Sequence, residues 1–291
     1  MSEPILRLED VYYTYPDGPL AVEHLNVSIQ KGERLAVLGR NGAGKSTFFL
    51  LCNGVLPPDS GKIYCNGKEV TRRKQDLLDL RRRVGIVFQE ADNQILSVTV
   101  EGEVSFGPLN LGLPLPEAAR RTQAALSAMC LTEYAQRSPH YLSGGEKKRV
   151  TIADILAMEP ELILLDEPTA SLDPENVARL EDTLNRLTQS GIALLVSTHD
   201  VDFAARFARR GLVFSDGRLV SDGPMEAIFA DEALLSRAGL RQPWIWQAAQ
   251  ALRPGLTRYP LTLEQYRVFL SETCFQQAVF PDGAGCLPSH F

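Results

Sequence analysis

The sequence predicts an α/β protein: a core of strands alternating with helices, an antiparallel β subdomain in front of it, and a small helical extension at the C-terminal end. Three observations carry this reading. Apolar residues alternate at Ile5, Leu6, Leu8, Val11 and Tyr13, and again at Leu25, Val27 and Ile29, which is the period of half-buried strands. Later apolar runs, RLAVLG, RVGIVFQ, ELILLDE and IALLVSTH, are short and continuous, as strands covered on both faces are. Helical spacing runs from Glu117 to Met129 and from Pro174 to Thr188, so strands and helices alternate through the second half.

The remaining elements follow in order. Pro16-Asp17-Gly18 reads as a turn between the first two strands, and KSTFFLLCNGVL has helical character. SGKIYCNGK reads as a strand with turns at either end, and VFSDGRLVSDG as a hairpin about an Asp-Gly turn. Beyond about Ile228 the character changes. WIWQAAQAL and LTLEQYRVFLSETCFQQAVF read as helices separated by a Pro/Gly segment, and PDGAGCLPSHF as a frayed end. The division expected is 1–230 for the main domain and 231–291 for the extension.

Bulk properties narrow the function. In 291 residues, 44% are hydrophobic and 23% charged, ordinary for a globular chain that buries a sizeable core. A net charge of −6 argues against broad nucleic-acid binding, which needs a basic face. Cys52, Cys65, Cys130, Cys274 and Cys286 are scattered and form no CxxC pair, so reduced thiols are expected rather than disulfides or zinc. The start, MSEPILRLED, lacks the basic flank and apolar core of a signal peptide, and no apolar run approaches the ~20 residues of a membrane span. Service to a membrane process would come from the cytoplasmic face, through a partner.

The chemistry is concentrated in a few motifs. GRNGAGKS places Gly39, Gly44, Lys45 and Ser46 as a phosphate-binding loop requires, after an apolar strand and at a helix start. Backbone N–H groups of Asn41, Gly42, Ala43 and Gly44, with Thr47 in the first turn, would wrap phosphates. Lys45 would pair with the β- and γ-phosphates of ATP, and the Ser46 hydroxyl would bind Mg²⁺. LILLDE ends a buried strand in two carboxylates, which are costly there without a task. Asp166 suits the Mg²⁺ shell, and Glu167 suits polarising the attacking water. His199 ends another strand as a γ-phosphate sensor. Gln89 ends RVGIVFQ within reach of Mg²⁺ or the water. Tyr15 is preferred for stacking on adenine, with Tyr12 and Tyr13 as rivals. A second glycine-rich stretch, Ser143, Gly144 and Gly145, leads into the helix EKKRVTIADILAM and offers another anion cradle. One cradle is already supplied, so the second makes sense if it closes on the ATP of another subunit in a head-to-tail dimer. Ser171 to Asp173 follow the acidic strand and are well placed to speak across that interface.

The order Tyr15, GRNGAGKST, Gln89, LSGGEKKR, LILLDEPTASLD and His199 resembles the ATP-binding subunit of an ABC transporter over roughly residues 3–230. The resemblance implies an ABC-type P-loop ATPase fold: a RecA-like core, an antiparallel β subdomain and a helical subdomain carrying LSGGE. It also implies that Ser143 and Gly145 contact the γ-phosphate of the opposite subunit and that Asp173 is the D-loop acid. Many members have glutamine where this chain has Glu146. The stretch EADNQILSVTVEGEVSFGPLNLGLP resembles the cobalt and nickel branch of the energy-coupling-factor importers. Asn93-Gln94 and FGPLNLG match that branch; Ala91 and Glu103 depart. This implies a helix around Gln94 that meets the coupling helices of a transmembrane subunit, against the alternative of a partnerless surface helix. The tail resembles an extension that holds two ATPase subunits together, with Trp244 and Trp246 either as its anchors or as core of a small helical unit. The implied assembly is a second ATPase subunit, a transmembrane coupling subunit and a substrate-binding membrane subunit, with this chain peripheral. Its implied work is ATP hydrolysis for import of cobalt or nickel. The alternatives are a shared ATPase of a vitamin importer of the same class and a non-transport ABC ATPase; the latter usually carries a coiled-coil insertion or two cassettes, and neither is present here.

Overall fold

The computed structural model describes residues 3–16 and 18–277. Asp17 of the expected turn, Cys286 and the stretch expected to fray lie outside the described residues. Two sheets organise the described residues. The first is antiparallel, in the order β2 (Leu20–Ile29), β1 (Leu6–Thr14), β4 (Ser60–Cys65), β5 (Lys68–Glu69). The second has the order β10 (Arg218–Pro224), β9 (Arg210–Ser215), β3 (Arg34–Leu38), β8 (Ala193–Ser197), β7 (Leu162–Asp166), β6 (Val84–Val87). From β9 to β6 its pairings are parallel, and β10 closes the edge as an antiparallel hairpin partner.

Each central strand is buried on both faces, as its unbroken apolar run requires. Leu35 and Val37 of β3, Leu162 and Leu164 of β7, and Ala193 and Leu195 of β8 face one core with α1 (Lys45–Cys52) and the antiparallel sheet. Ala36, Leu38, Ile163, Leu165, Leu194 and Val196 face the other. That second core receives α3 (Val100–Asn110), α4 (Leu115–Ala128), α5 (Gly144–Ala157), α6 (Pro174–Gln189), α7 (Val201–Phe207) and α8 (Met225–Ala230). Because β3, β6, β7 and β8 are parallel, their C-terminal ends share one edge, the place where such sheets bind ligands.

The extension joins the same second core through Leu234, Leu235 and Ala238 of α9 (Glu232–Ala238), and Trp246 and Ala249 of α10 (Trp244–Leu252). Asp202 of α7 accepts hydrogen bonds from the Arg241 guanidinium and the Trp244 N–H. The two tryptophans differ in placement. Trp246 is 2% exposed against Tyr259, whereas Trp244 is 64% exposed with Arg241 over its ring. The last helix among the described residues, α11, spans Leu263–Gln277.

Two local expectations change. A helix not anticipated, α2 (Lys74–Arg83), precedes β6. The helix implied around Gln94 is one 3₁₀ turn, Ala91–Asn93. Side chains take the backbone donors a longer helix would use. Gln94 Oε1 accepts the Phe88 N–H at 3.0 Å, and the buried Glu103 carboxylate accepts the Leu96 and Ser97 N–H groups at 2.9 and 2.7 Å.

Candidate functional site

A cleft of about 650 Å³ opens where the C-terminal ends of β3, β6, β7 and β8 meet the antiparallel sheet. Tyr15, Asn41, Gly42, Gly44, Lys45, Ser46, Thr47, Gln89, Asp166, Glu167 and His199 line it. The loop from β3 to α1 turns on glycines for a definite reason. Gly44 has φ of 104°, and a Cβ there would lie 2.8 Å from the Ala21 carbonyl oxygen. At Gly39 a Cβ would lie 2.4 Å from the Phe214 carbonyl oxygen. Only glycine lets the loop pass this close to its neighbours. Lys45 curls back over the loop: its Nζ donates to the Gly39 carbonyl at 2.8 Å and the Arg40 carbonyl at 3.2 Å. Burial lowers the pKa of this ammonium, opposed by the Glu167 and Asp166 carboxylates. Ala43 is buried, and its carbonyl accepts the Gly217 N–H.

The two acids diverge at the end of β7. Asp166 lies beside Ser197 of β8 in register. Its Oδ2 accepts the Ser46 hydroxyl at 2.8 Å and its Oδ1 accepts the Ser197 hydroxyl. Glu167 takes φ of 43°, the left-handed region, and its N–H donates to both oxygens of Ser197. Glu167 Oε2 pairs with His199 Nδ1 at 2.9 Å. Its other oxygen, Oε1, is buried without a hydrogen-bond partner and lies 4.0 Å from Lys45 Nζ. An unsatisfied buried acceptor beside an ammonium is suited to an incoming donor such as water. Ser46, Asp166 and Gln89, which line the cleft together, carry oxygens of the hard kind that Mg²⁺ takes.

The tyrosines separate by position. Tyr13 is buried in the core, and the Tyr12 hydroxyl faces His24 on the sheet surface. Tyr15, past the end of β1, lines the cleft with its hydroxyl 3.2 Å from Thr47 Oγ1.

Ser143, Gly144, Gly145 and Asp173 do not line this cleft. Gly144 and Gly145 already belong to the first turn of α5, with Ser143 as its N-cap. Glu146 completes a capping box: its carboxylate accepts the Ser143 N–H at 2.7 Å while Ser143 Oγ accepts the Glu146 N–H. Asp173 caps α6 by accepting from the Asn176 backbone and side chain, both at 2.8 Å. Gly145 packs on the same Asn176, where a Cβ would come within 2.6 Å.

Sequence reasoning passed over Pro19, Leu20, Ala21, Asp216 and Gly217, which complete the wall. The signal for the last two was the Asp-Gly turn, read only as a hairpin. Gly217 is stitched to the phosphate loop through Ala43 and to β2 through the Glu23 N–H. Ser197, which positions both acids, was also missed.

Known proteins share this arrangement. Residues 22–170 match the family model described as ABC transporter. The chain is 46% identical over 239 residues to the energy-coupling factor transporter ATP-binding protein of Methanothermobacter thermautotrophicus, covering 82% of this chain and 77% of that one. It is 46% identical over 242 residues to the cobalt import ATP-binding protein of Rhodobacter capsulatus, covering 83% and 86%. Among solved structures it is similar to cbiO1 of Clostridium perfringens, part of the ABC transporter complex cbiONQ, with a TM-score of 0.73 and 38% identity over 82% of this chain and 96% of that one. Identity at this level along most of the chain, with the family match across residues 22–170, makes it a member of the ABC transporter family, an ATP-hydrolysing subunit of the energy-coupling-factor kind.

Proposed function

We propose that this chain is one of two ATPase subunits held at the cytoplasmic face of a membrane importer, and that the importer carries cobalt ions. The observation that carries the catalytic part is the Glu167 carboxylate, one oxygen held by His199 and the other buried and unpartnered 4.0 Å from Lys45. In this reading Glu167 Oε1 accepts a proton from the attacking water. His199 orients Glu167 and reads the γ-phosphate, while Lys45 and the loop N–H groups of residues 41–45 hold the phosphates. Thr47 supports the Tyr15 hydroxyl, leaving the Tyr15 ring to stack on adenine. Ser46, Asp166 and Gln89 would hold Mg²⁺, which when bound neutralises phosphate charge. Ser143, Gly144 and Gly145, with Asp173, complete the site of the second subunit.

Among the described residues no helix is long and apolar enough to cross a membrane. A membrane partner is supported instead by exposed apolar side chains in the stretch that resembles the coupling region: Leu96 is 79% and Val98 83% exposed, and Phe106 and Leu109 of α3 are exposed nearby in sequence. The extension from residue 231, with Trp244 outside the core, is assigned to contact between the two ATPase subunits. Cobalt as cargo is supported by the relative named for cobalt import. A vitamin importer of the same class is the second reading, since another relative's name carries no cargo.

The test is uptake and hydrolysis together. Reassembled with the membrane proteins that co-purify with it, the chain drives ATP-dependent Co²⁺ uptake. Glu167→Gln retains ATP binding and slows turnover by on the order of 10²–10⁴-fold. Near-normal turnover in Glu167→Gln removes the catalytic assignment; vitamin uptake without Co²⁺ uptake removes the cargo assignment.

A further inference from the structure

Two adjacent lysines on α5 hold the segment that carries Gln89, one by its backbone and one by the Asp92 side chain. Lys148 is 4% exposed, and its Nζ donates to the Gln89 carbonyl at 2.6 Å and the Phe88 carbonyl at 3.0 Å. Lys147 pairs with Asp92 at 2.6 Å. From the other side, Gln94 accepts the Phe88 N–H and donates to the Ile86 carbonyl. The chain from Ile86 to Asp92 is therefore fixed at each end and in the middle.

Packing alone does not account for Lys148. A buried ammonium facing two carbonyl oxygens gives up far more hydration than an apolar side chain of the same length. Burial pushes its pKa down to about 8, opposed by Glu90 and Asp166. What the ammonium supplies, and methionine would not, is a fixed anchor for the Gln89 main chain. The same helix begins at the Ser143 cap, five residues before Lys148, about 7.5 Å along the axis. Between Ser143 and Lys148 the backbone is continuous helix, so the two ends move as one body.

We propose that Lys148 is a positioning residue for ATP hydrolysis: it fixes the Gln89 backbone so that the Gln89 amide reaches the phosphate end of the cleft, and it links that placement to the helix that starts at Ser143. The proposal rests on the reading of Gln89 given above. It has a mechanical consequence. Any displacement of Ser143 when two subunits meet is carried by α5 to Gln89 of the same chain, which connects the ATP bound in one cleft to the site completed for the other.

The test is a double-mutant cycle on the assembled ATPase, with Lys148→Met, Gln89→Ala and the combination. Lys148→Met lowers kcat by on the order of 10–100-fold, the scale of a misplaced catalytic group, with the KM for ATP changed less than about twofold because the loop holding the phosphates is untouched. In the Gln89→Ala background, Lys148→Met then costs less than about twofold more, since the group it positions is gone. If Lys148→Met does not fold, Lys148→Gln goes through the same cycle with melting temperature as the check on folding. Additive losses overturn the proposal, as does a wild-type kcat in a folded Lys148 variant. A wild-type kcat in Gln89→Ala overturns the reading of Gln89 itself, a separate outcome, and the proposal with it.

Discussion

At the scale of single residues, the site depends on costly placements that hold because neighbours over-determine them. Glu167 sits in the left-handed region at φ of 43°, a cost of about 1–3 kcal/mol for a non-glycine residue. Ser197 offsets this by receiving its N–H, and the result is two adjacent carboxylates with separate partners. Glu146 shows a charge with a simpler purpose. It stands where glutamine is common in proteins this chain resembles, and its carboxylate closes the box on Ser143 at the positive end of α5. The Ser143 N–H holds its pKa below the usual glutamate value. A depressed folded pKa contributes stability above the unfolded value near ~4.3, lost as pH falls through the folded value. Glu146→Ala should therefore cost about 0.3–1.5 kcal/mol at neutral pH, and urea titrations should show the gap to the parent closing below about pH 4. A gap unchanged by acid would mean that the carboxylate charge plays no part in the cap.

At the scale of elements, what was legible followed from periodicity and what was missed followed from its absence. The strands announced themselves by alternation or by short apolar runs, and the phosphate loop by its spacing. Helix α2 did not, because KQDLLDLRRR buries only Leu80 and shows no apolar stripe. Tyr13 and Tyr15 fall on one face by alternation; only the end of β1 at Thr14 separates a core ring from a cleft ring. Lys148 lies in the charged start of a helix, where the sequence carries no sign of its burial, and that burial comes from tertiary packing. Asp154 of α5 is a second such case. Burial, and next the Glu103 charge, raise its pKa to about 7, and its Oδ1 is buried without a hydrogen-bond partner. Below the unfolded value near ~3.9 both states hold the proton; as pH rises from there to about 7 the unfolded chain ionises first and stability falls. Asp154→Asn should thus stabilise the protein at pH ~8, by about 2–4 °C in Tm for each kcal/mol recovered. Scanning calorimetry should find that gain gone near pH ~3, where both forms are neutral. A gain as large in acid as at neutrality would assign the effect to packing instead.

At the scale of the whole molecule, one chain presents two unlike surfaces. The cleft holds Lys45, Asp166 and Glu167, and away from it lie Ser143, Gly144, Gly145 and Asp173. These last are not independent. Gly145 packs on Asn176 so closely that a Cβ would lie within 2.6 Å, and Asn176 is held twice by Asp173. The start of α5 and the start of α6 are thereby locked into one unit, with the Ser143 side chain exposed. In the proposed head-to-tail pair, a unit so built would gain phosphate contacts only when another subunit brings them. Closure of a head-to-tail pair would then be driven by ATP, and each active site would draw Lys45 from one chain and Ser143 from the other. Mixing inactive proteins tests this directly. Ser143→Arg and Lys45→Ala should each lack hydrolysis alone, the first with ATP affinity of the isolated subunit nearly intact. In a heterodimer of the two, one composite site receives the intact Lys45 of the first and the intact Ser143 of the second, while the other site has neither. ATPase activity should therefore return on mixing, in proportion to the heterodimer measured by native mass spectrometry, at one working site per pair. Full activity of Ser143→Arg alone would show that the second cradle is not catalytic, and silence in a mixture shown to contain heterodimer would end the case for a shared site.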